Sequence, residues 1–417
     1  MTLSPRVQEA FDALVANPAI QDALAFIKAD HANMVAEQKE IALVPGAPHT
    51  EPEIRSPFFL EKLKNYGLKD CAIDEVGNTF GYVHGVRKAP LILMEGHLDT
   101  VFPMETPLAI TEKDGRIYCP GIGDDTAALA TLLCVIRAIR HAGLKPCGTL
   151  MLGGTVGEEG PGLSRGVRHL MDTRKEEIDA YVAIETCWTY RVTRGAVACR
   201  RFELTFKGPG GHAWNAFGLA SPINAAGRAM ASIADIVLPD TPKTIYNIGL
   251  MNGGTSVNSI ANEATLHIDM RSIDMDARDA LGARILDMAK TAVEAENAAH
   301  PEGGRITLDV RVYGEKPGGD QPADSLIVQI ASGATSAVGV EPRLMGPAST
   351  NINFPLALGI PSVCIGAGGD AGKQHSLEEW FDPTDSYTGP QKCLLMLFAM
   401  AGLDGVSPAL CATRNAR

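Results

Sequence analysis

The chain reads as an α/β protein. Its predicted core is a mixed, mainly parallel sheet with helices on both faces, and a ferredoxin-like α+β unit is inserted into it. Three observations predict this. Four short apolar runs, at residues 90–94, 149–152, 180–184 and 361–365, are each followed within a few residues by glycine or a polar cluster. Helical stretches alternate with such runs, the pattern of a parallel α/β sheet. After about residue 193 the pattern changes to strand-helix-strand-strand-helix-strand, the order of a ferredoxin-like unit.

In chain order, residues 7–40 have a helical periodicity, with Val7, Ala10, Phe11, Leu14, Ile20, Leu24 and Ile27 at near-helical spacing. Pro45-Gly46-Ala47-Pro48 ends that pattern in a loop. A helix is expected over 58–66, closed by Gly67. Another is expected over 127–142, with Leu129, Leu132, Leu133, Ile136 and Ile139 on its buried side and Gly143 as its stop. In the inserted part, residues 201–207 alternate as a strand, and Ser221-Pro222 opens a helix as N-cap and first helical residue. Strands at 244–250 and 264–272, a long helix at 277–298 and a strand at 305–312 complete it. The expected domains are therefore 1–193 with 315–417, and 194–314.

The 417 residues suffice for two or three domains with substantial cores. A formal net charge of −12 argues against nucleic acid or an anionic membrane surface as the main partner. The nine cysteines are odd in number and form no C-x-x-C pair, which favours a reducing compartment over a disulfide framework or a cysteine-rich zinc site. The N-terminus lacks a basic segment followed by an apolar one, and no apolar run approaches a membrane span. A cytoplasmic location is the expectation.

Five polar clusters stand beyond these runs. The first, Gly96-His97-Leu98-Asp99-Thr100, places a His and an Asp two residues apart. In sheets covered by helices, functional residues gather beyond the carboxyl ends of strands. Gly121-Ile122-Gly123-Asp124-Asp125 leads into the 127–142 helix, where the acids could equally serve as charge on the helix dipole or as a cap. Glu158-Glu159-Gly160 and Ile184-Glu185-Thr186 follow two more runs, and His375 lies beyond the fourth. Together they offer imidazole and carboxylate donors suited to a pair of zinc-type divalent ions. A carboxylate bridging two such ions would let both act on one water and one carbonyl, and a further carboxylate would take the proton.

In these linked motifs the chain resembles the co-catalytic di-zinc metallopeptidase and aminoacylase family. That family includes peptidase T, glutamate carboxypeptidase, acetylornithine deacetylase and succinyl-diaminopimelate desuccinylase. The resemblance spans essentially the whole chain, and residues 208–215 and 253–258 look most like peptidase T-type members. It implies a di-zinc exopeptidase-type fold with a lid domain through which members dimerise. It implies that His97, Asp124 and Glu185 hold one ion and Asp124, Glu159 and His375 the other, with zinc favoured and cobalt or manganese possible. Asp99 would orient His97, and Glu158 would be the general base and later the acid. His212 in the lid would stabilise the oxyanion, and Asn258 and Arg271 would bind substrate, the cation suiting a carboxylate. The implied function is a peptidase T-like exopeptidase acting on short peptides through a metal-bridged water. The alternatives are a deacylase of N-acyl amino acids and a non-catalytic small-ligand binder.

Two departures from the family pattern stand out. Thr126 takes a place where Lys is common, and Asn351 one where Asp is frequent. Gly162-Leu163-Ser164-Arg165-Gly166 matches the Gly-x-Ser-x-Gly form, but its expected strand ends several residues earlier, against a serine nucleophile. The glycines at 368–372 do not complete a phosphate-binding loop, because Ala367 and Gln374 replace required residues.

Overall fold

Four parallel strands lie side by side in the order Thr149–Thr155, Leu91–His97, Ala180–Ile184 and Ser362–Ile365. They form the centre of an eight-stranded sheet in the computed structural model, which describes residues 2–414. On one side the sheet continues through the antiparallel strands Thr79–Val83 and Lys69–Ile73. On the other, Arg191–Thr193 runs antiparallel to Ser362–Ile365 and carries Arg343–Met345 at the edge. The mainly parallel α/β class is the observed one.

Period-two alternation explains why the central strands look apolar throughout. Ile92 and Met94 enter one core with the helices Thr126–His141 and Thr388–Ala401, while Leu91 and Leu93 enter the other with Arg165–Arg174. A strand buried on both faces has no polar side to show. Each such side chain contributes about 1.5–3 kcal/mol by leaving water.

The sequence pattern was too coarse at the N-terminus. The periodic stretch 7–40 is three helices, Pro5–Ala16, Pro18–Ala29 and His31–Ala42. Proline at 18 cannot continue the first helix, and the Asn17 side chain caps the second by accepting the amides of Ala19 and Ile20. No single helix among the described residues is long and apolar enough to cross a membrane.

The chain divides into two compact units, Met1–Ala196 with Asp320–Arg417, and Val197–Gly319. The division falls a few residues beyond the expected 193/194 and 314/315, because Gly195 and Ala196 still pair with Ala348 of the larger unit and the last strand of the inserted unit, Thr307–Lys316, keeps pairing with its neighbour up to Lys316. The second unit is a four-stranded antiparallel sheet in the order Thr244–Gly253, Glu263–Ser272, Ala198–Lys207, Thr307–Lys316. The helices Pro222–Ala234 and Met275–Ala299 supply the apolar partners of Phe202, Leu204, Phe206, Leu266, Ile268 and Met270. Its order is that of the ferredoxin-like unit.

Candidate metal centre

Glycines stand at the tips of two central strands, Gly96 in Leu91–His97 and Gly153 and Gly154 in Thr149–Thr155. Glu95, Gly96 and His97 continue the ladder against Gly153, Gly154 and Thr155, so His97 closes its strand rather than following it. A Cβ on Gly153 would lie 1.9 Å from the Thr79 carbonyl oxygen, so no other residue fits there against the neighbouring strand Thr79–Val83. Past Thr155 the chain turns through Gly157 at φ +66° and presents Glu158 and Glu159. Glu185 follows Ile184 directly, its backbone N–H donating to the Ile365 carbonyl at 2.8 Å. His375 comes from the loop between the short strands Asp370–Gly372 and Trp380–Asp382.

Asp124 is the meeting point. Its Oδ1 lies 3.0 Å from His97 Nε2, and its Oδ2 lies 3.3 Å from His375 Nε2. His375 Nε2 is also 2.8 Å from Glu159 Oε1. Among the described residues, three donor sets have their atoms within 4.8 Å of one another: His97 with Asp124 and Asp125, His97 with Glu158 and Glu159, and Asp124 with Glu159 and His375. Glu185 lies outside these sets, and it meets the cluster through the charges of Glu158 and Asp124.

Asp99 is fully buried below the cluster. Its carboxylate accepts the backbone N–H of Glu158 at 3.0 Å and of Glu159 at 2.9 Å. His97 Nδ1 stands 3.0 Å from the Asp99 backbone carbonyl and 3.6 Å from its carboxylate, so the contact that fixes the ring is to the main chain.

The electrostatics are those of crowded carboxylates. Burial, reinforced by the Glu158 charge, pushes Glu185 up to about 8. Burial likewise raises Asp125 and Glu159. Burial alone would raise Asp124 as well, but hydrogen bonds from His375 and His97 hold it below the usual carboxylate range. Hydrogen bonds to Asp124 and Glu159 lift His375 to about 10. For His97, burial pulls downward, and the Asp125 charge with the Asp124 hydrogen bond overcomes it, leaving the imidazole well above its ordinary value.

Several neighbours escape a reading by motif. Asp125 accepts the backbone N–H of His97 through Oδ2 at 2.9 Å and of Thr186 through Oδ1 at 3.1 Å, tying two strand ends together. The buried Glu379 accepts the backbone amides of Gly121, Gly123 and Asp124, each at 2.9 Å, and so shapes the loop that carries Asp124. Its only sequence signal was its place four residues after His375. Thr126 donates its hydroxyl to the carbonyls of Gly121 and Ile122. Asn351 donates to buried Glu95 and to Thr155, beneath the site. Ser164 of the Gly-x-Ser-x-Gly stretch is fully buried, its hydroxyl without a partner.

His212, Asn258 and Arg271 belong to the second unit. His212 and Asn258 are neighbours there, with the Ala213 N–H donating to the Asn258 carbonyl at 2.9 Å. His212 is exposed, and its Nδ1 accepts the Trp214 N–H at 3.2 Å. Arg271 stands apart on the Glu263–Ser272 strand and pairs with Asp269 at 2.7 Å.

His97, Glu158, Glu159 and Glu185 at the carboxyl ends of parallel strands, with Asp124 and His375 from loops beside them, form the donor set of a metal-dependent enzyme. The residues fit divalent ions: the carboxylates outnumber the cations, and burial drives several of them toward protonation, a cost that bound cations would relieve. The chain belongs to peptidase family M20/M25/M40, whose description matches residues 93–395. It is 27% identical over 318 residues to a succinyl-diaminopimelate desuccinylase of Nitrosomonas europaea, covering 70% of this chain and 80% of that one. In fold it is similar to the aminopeptidase PepT of Bacillus cereus, with a TM-score of 0.72 and 22% identity over 88% of this chain and 98% of the other. It is also similar to the YXEP protein of Bacillus subtilis, a dinuclear metal-binding peptidase of the M20 family, with a TM-score of 0.68 and 15% identity over 90% and 99%. The protein is accordingly a metal-dependent amidohydrolase of a family that acts on small peptides or acyl amino acids.

Proposed function

We propose that this enzyme is an exopeptidase of the peptidase T kind, acting on short peptides. The observation that carries its two-metal chemistry is Asp124, whose two carboxylate oxygens face different imidazoles. A carboxylate so placed can serve two cations. On this reading His97, Asp124 and Glu185 hold one divalent ion, and Asp124, Glu159 and His375 the other. Zinc suits the set, and cobalt and manganese accept the same ligands. The ions, when bound, supply Lewis acidity toward the scissile carbonyl and toward water.

Glu158 takes the proton from the attacking water and returns it to the leaving amine. Its anchorage supports this role, since the Asp99 carboxylate holds its main chain. Asp99 also holds His97, through its backbone carbonyl, so that Nε2 faces Asp124. His212 is assigned to the oxyanion. Because its Nδ1 accepts a backbone N–H, Nε2 carries the hydrogen of the neutral ring and can donate it. Asn258 and Arg271 are assigned to substrate, and a substrate carboxylate would compete with Asp269 for the guanidinium.

The larger unit is read as the catalytic domain and the inserted one as a lid and dimerisation domain. The exposed Ile245, Leu250 and Met251 on its edge strand Thr244–Gly253 support pairing there in a homodimer. The nine cysteines are all free thiols, which supports a cytoplasmic site of action.

The second reading, a deacylase of N-acyl amino acids, is favoured by the likeness to a desuccinylase. Metal-supplemented kinetics on di- and tripeptides against N-acetyl and N-succinyl amino acids separate the two. Higher kcat/KM on peptides is expected. Higher kcat/KM on the acyl amino acids would replace the first reading with the second, and no metal-restored turnover on either class would remove both.

A further inference from the structure

The turn after Ala180–Ile184 is strained and tied down from several sides. Thr186 and Trp188 both occupy the left-handed region, at φ +59° and +67°. For a β-branched residue such as Thr186 this is an outlier that surrounding contacts must hold, and such strain clusters at functional sites. The Thr186 N–H donates to Asp125 Oδ1, and its carbonyl accepts the Ala367 N–H at 2.9 Å. The Trp188 indole donates to Asp370 at 2.6 Å.

Arg191 closes the turn. Its Nη1 donates to the Thr186 hydroxyl at 2.7 Å and to the Glu185 carbonyl at 3.3 Å, and its Nε donates to the Thr193 hydroxyl at 3.2 Å. The planar fork thus spans from the first residue past one strand to the last residue of the next. Beneath it, fully buried Lys392 donates to the carbonyls of Thr189 and Arg191 at 2.9 and 2.8 Å. The Arg191 guanidinium and the Lys392 side chain therefore converge on one seven-residue turn that begins at a carboxylate of the site.

We propose that Arg191 is a positioning residue for Glu185: its guanidinium, with its own main chain held by Lys392, fixes the left-handed turn that presents the Glu185 carboxylate. This rests on the reading of Glu185 as a metal ligand. Groups that orient a ligand from behind typically change metal affinity by about 10–100-fold when removed. Lys cannot reproduce the fork, though it keeps the charge.

The test is zinc stoichiometry and affinity by chelator competition for the whole chain and for Arg191→Met, Arg191→Lys and Glu185→Gln, without reference to turnover. Glu185→Gln and Arg191→Met are expected to weaken the same one of two zinc sites, by about 10–100-fold for Arg191→Met, with the other site unchanged. Arg191→Lys is expected to fall between, and it decides the matter if Arg191→Met does not fold. Wild-type affinity at both sites in the Arg191 variants, or equal weakening of both sites, would overturn the positioning role while Glu185→Gln stays defective. Two wild-type sites in Glu185→Gln would instead overturn the assignment of Glu185 as a ligand.

Discussion

The Asp99 carboxylate accepts the backbone N–H of Glu158 at 3.0 Å, so the acid beside one strand end sets the main chain of the acid beside the next. Its second oxygen does the same for Glu159. Asp99 is fully buried, and hydrogen bonds help to hold it below the ordinary carboxylate range even though burial opposes them. In Asp99→Asn one acceptor becomes an NH₂ group facing an N–H, leaving a buried donor unpaired at a cost of about 1–3 kcal/mol. A displaced Glu158 is expected to lower kcat/KM by about 100-fold. A value within twofold of wild type would show that the main-chain anchorage is dispensable.

Glu158→Gln tests the proposed base directly. Removing the proton acceptor while keeping the shape is expected to cut kcat by about 10²–10⁴-fold. Two bound metals per chain should remain, as measured by elemental analysis. Comparable turnover in the variant would take Glu158 out of the role.

Metal uptake is expected to release protons. His375 titrates at about 10 and His97 well above its usual value, so both imidazoles are protonated at neutral pH before a metal binds. An imidazole binds a metal in its neutral form, so with the proposed ligand set binding expels these protons and affinity rises with pH. Calorimetry of zinc binding in two buffers of different ionisation enthalpy gives the proton count. A count of zero at pH 7 would contradict the charge state described here.

Lys392 predicts a stability term with a definite sign. Burial pulls its amine down to about 7, against about 10.4 when unfolded. Between these values the unfolded chain binds the extra proton, so stability rises with pH across the window and is lost again as pH falls through about 7. Relative to Lys392→Met, the wild type is expected to gain up to about 1.4 kcal/mol per pH unit from pH 7.5 to 9.5 in urea unfolding of the metal-free chain. Parallel pH profiles for the two proteins would refute it.

The apolar runs, the histidines and acids that follow them, and the change of pattern near residue 193 were all readable in the sequence. Hydrophobic periodicity reports burial locally, and a polar cluster after a buried strand is conspicuous beside it. The mainly parallel sheet follows from the same runs. Pairings across the chain were not readable. Glu379 grips the amide of Asp124 from 255 positions away, and Asp125 looked like a helix cap until its oxygens met His97 and Thr186. Arg191 and Lys392 carried no motif, because their partners are backbone atoms and two threonine hydroxyls. The sequence by itself determined which donors stand at the strand ends and in what order. Only the tertiary structure decided which oxygen faces which imidazole, because the order of strands in the sheet, and not the order along the chain, brings those atoms within hydrogen-bond reach.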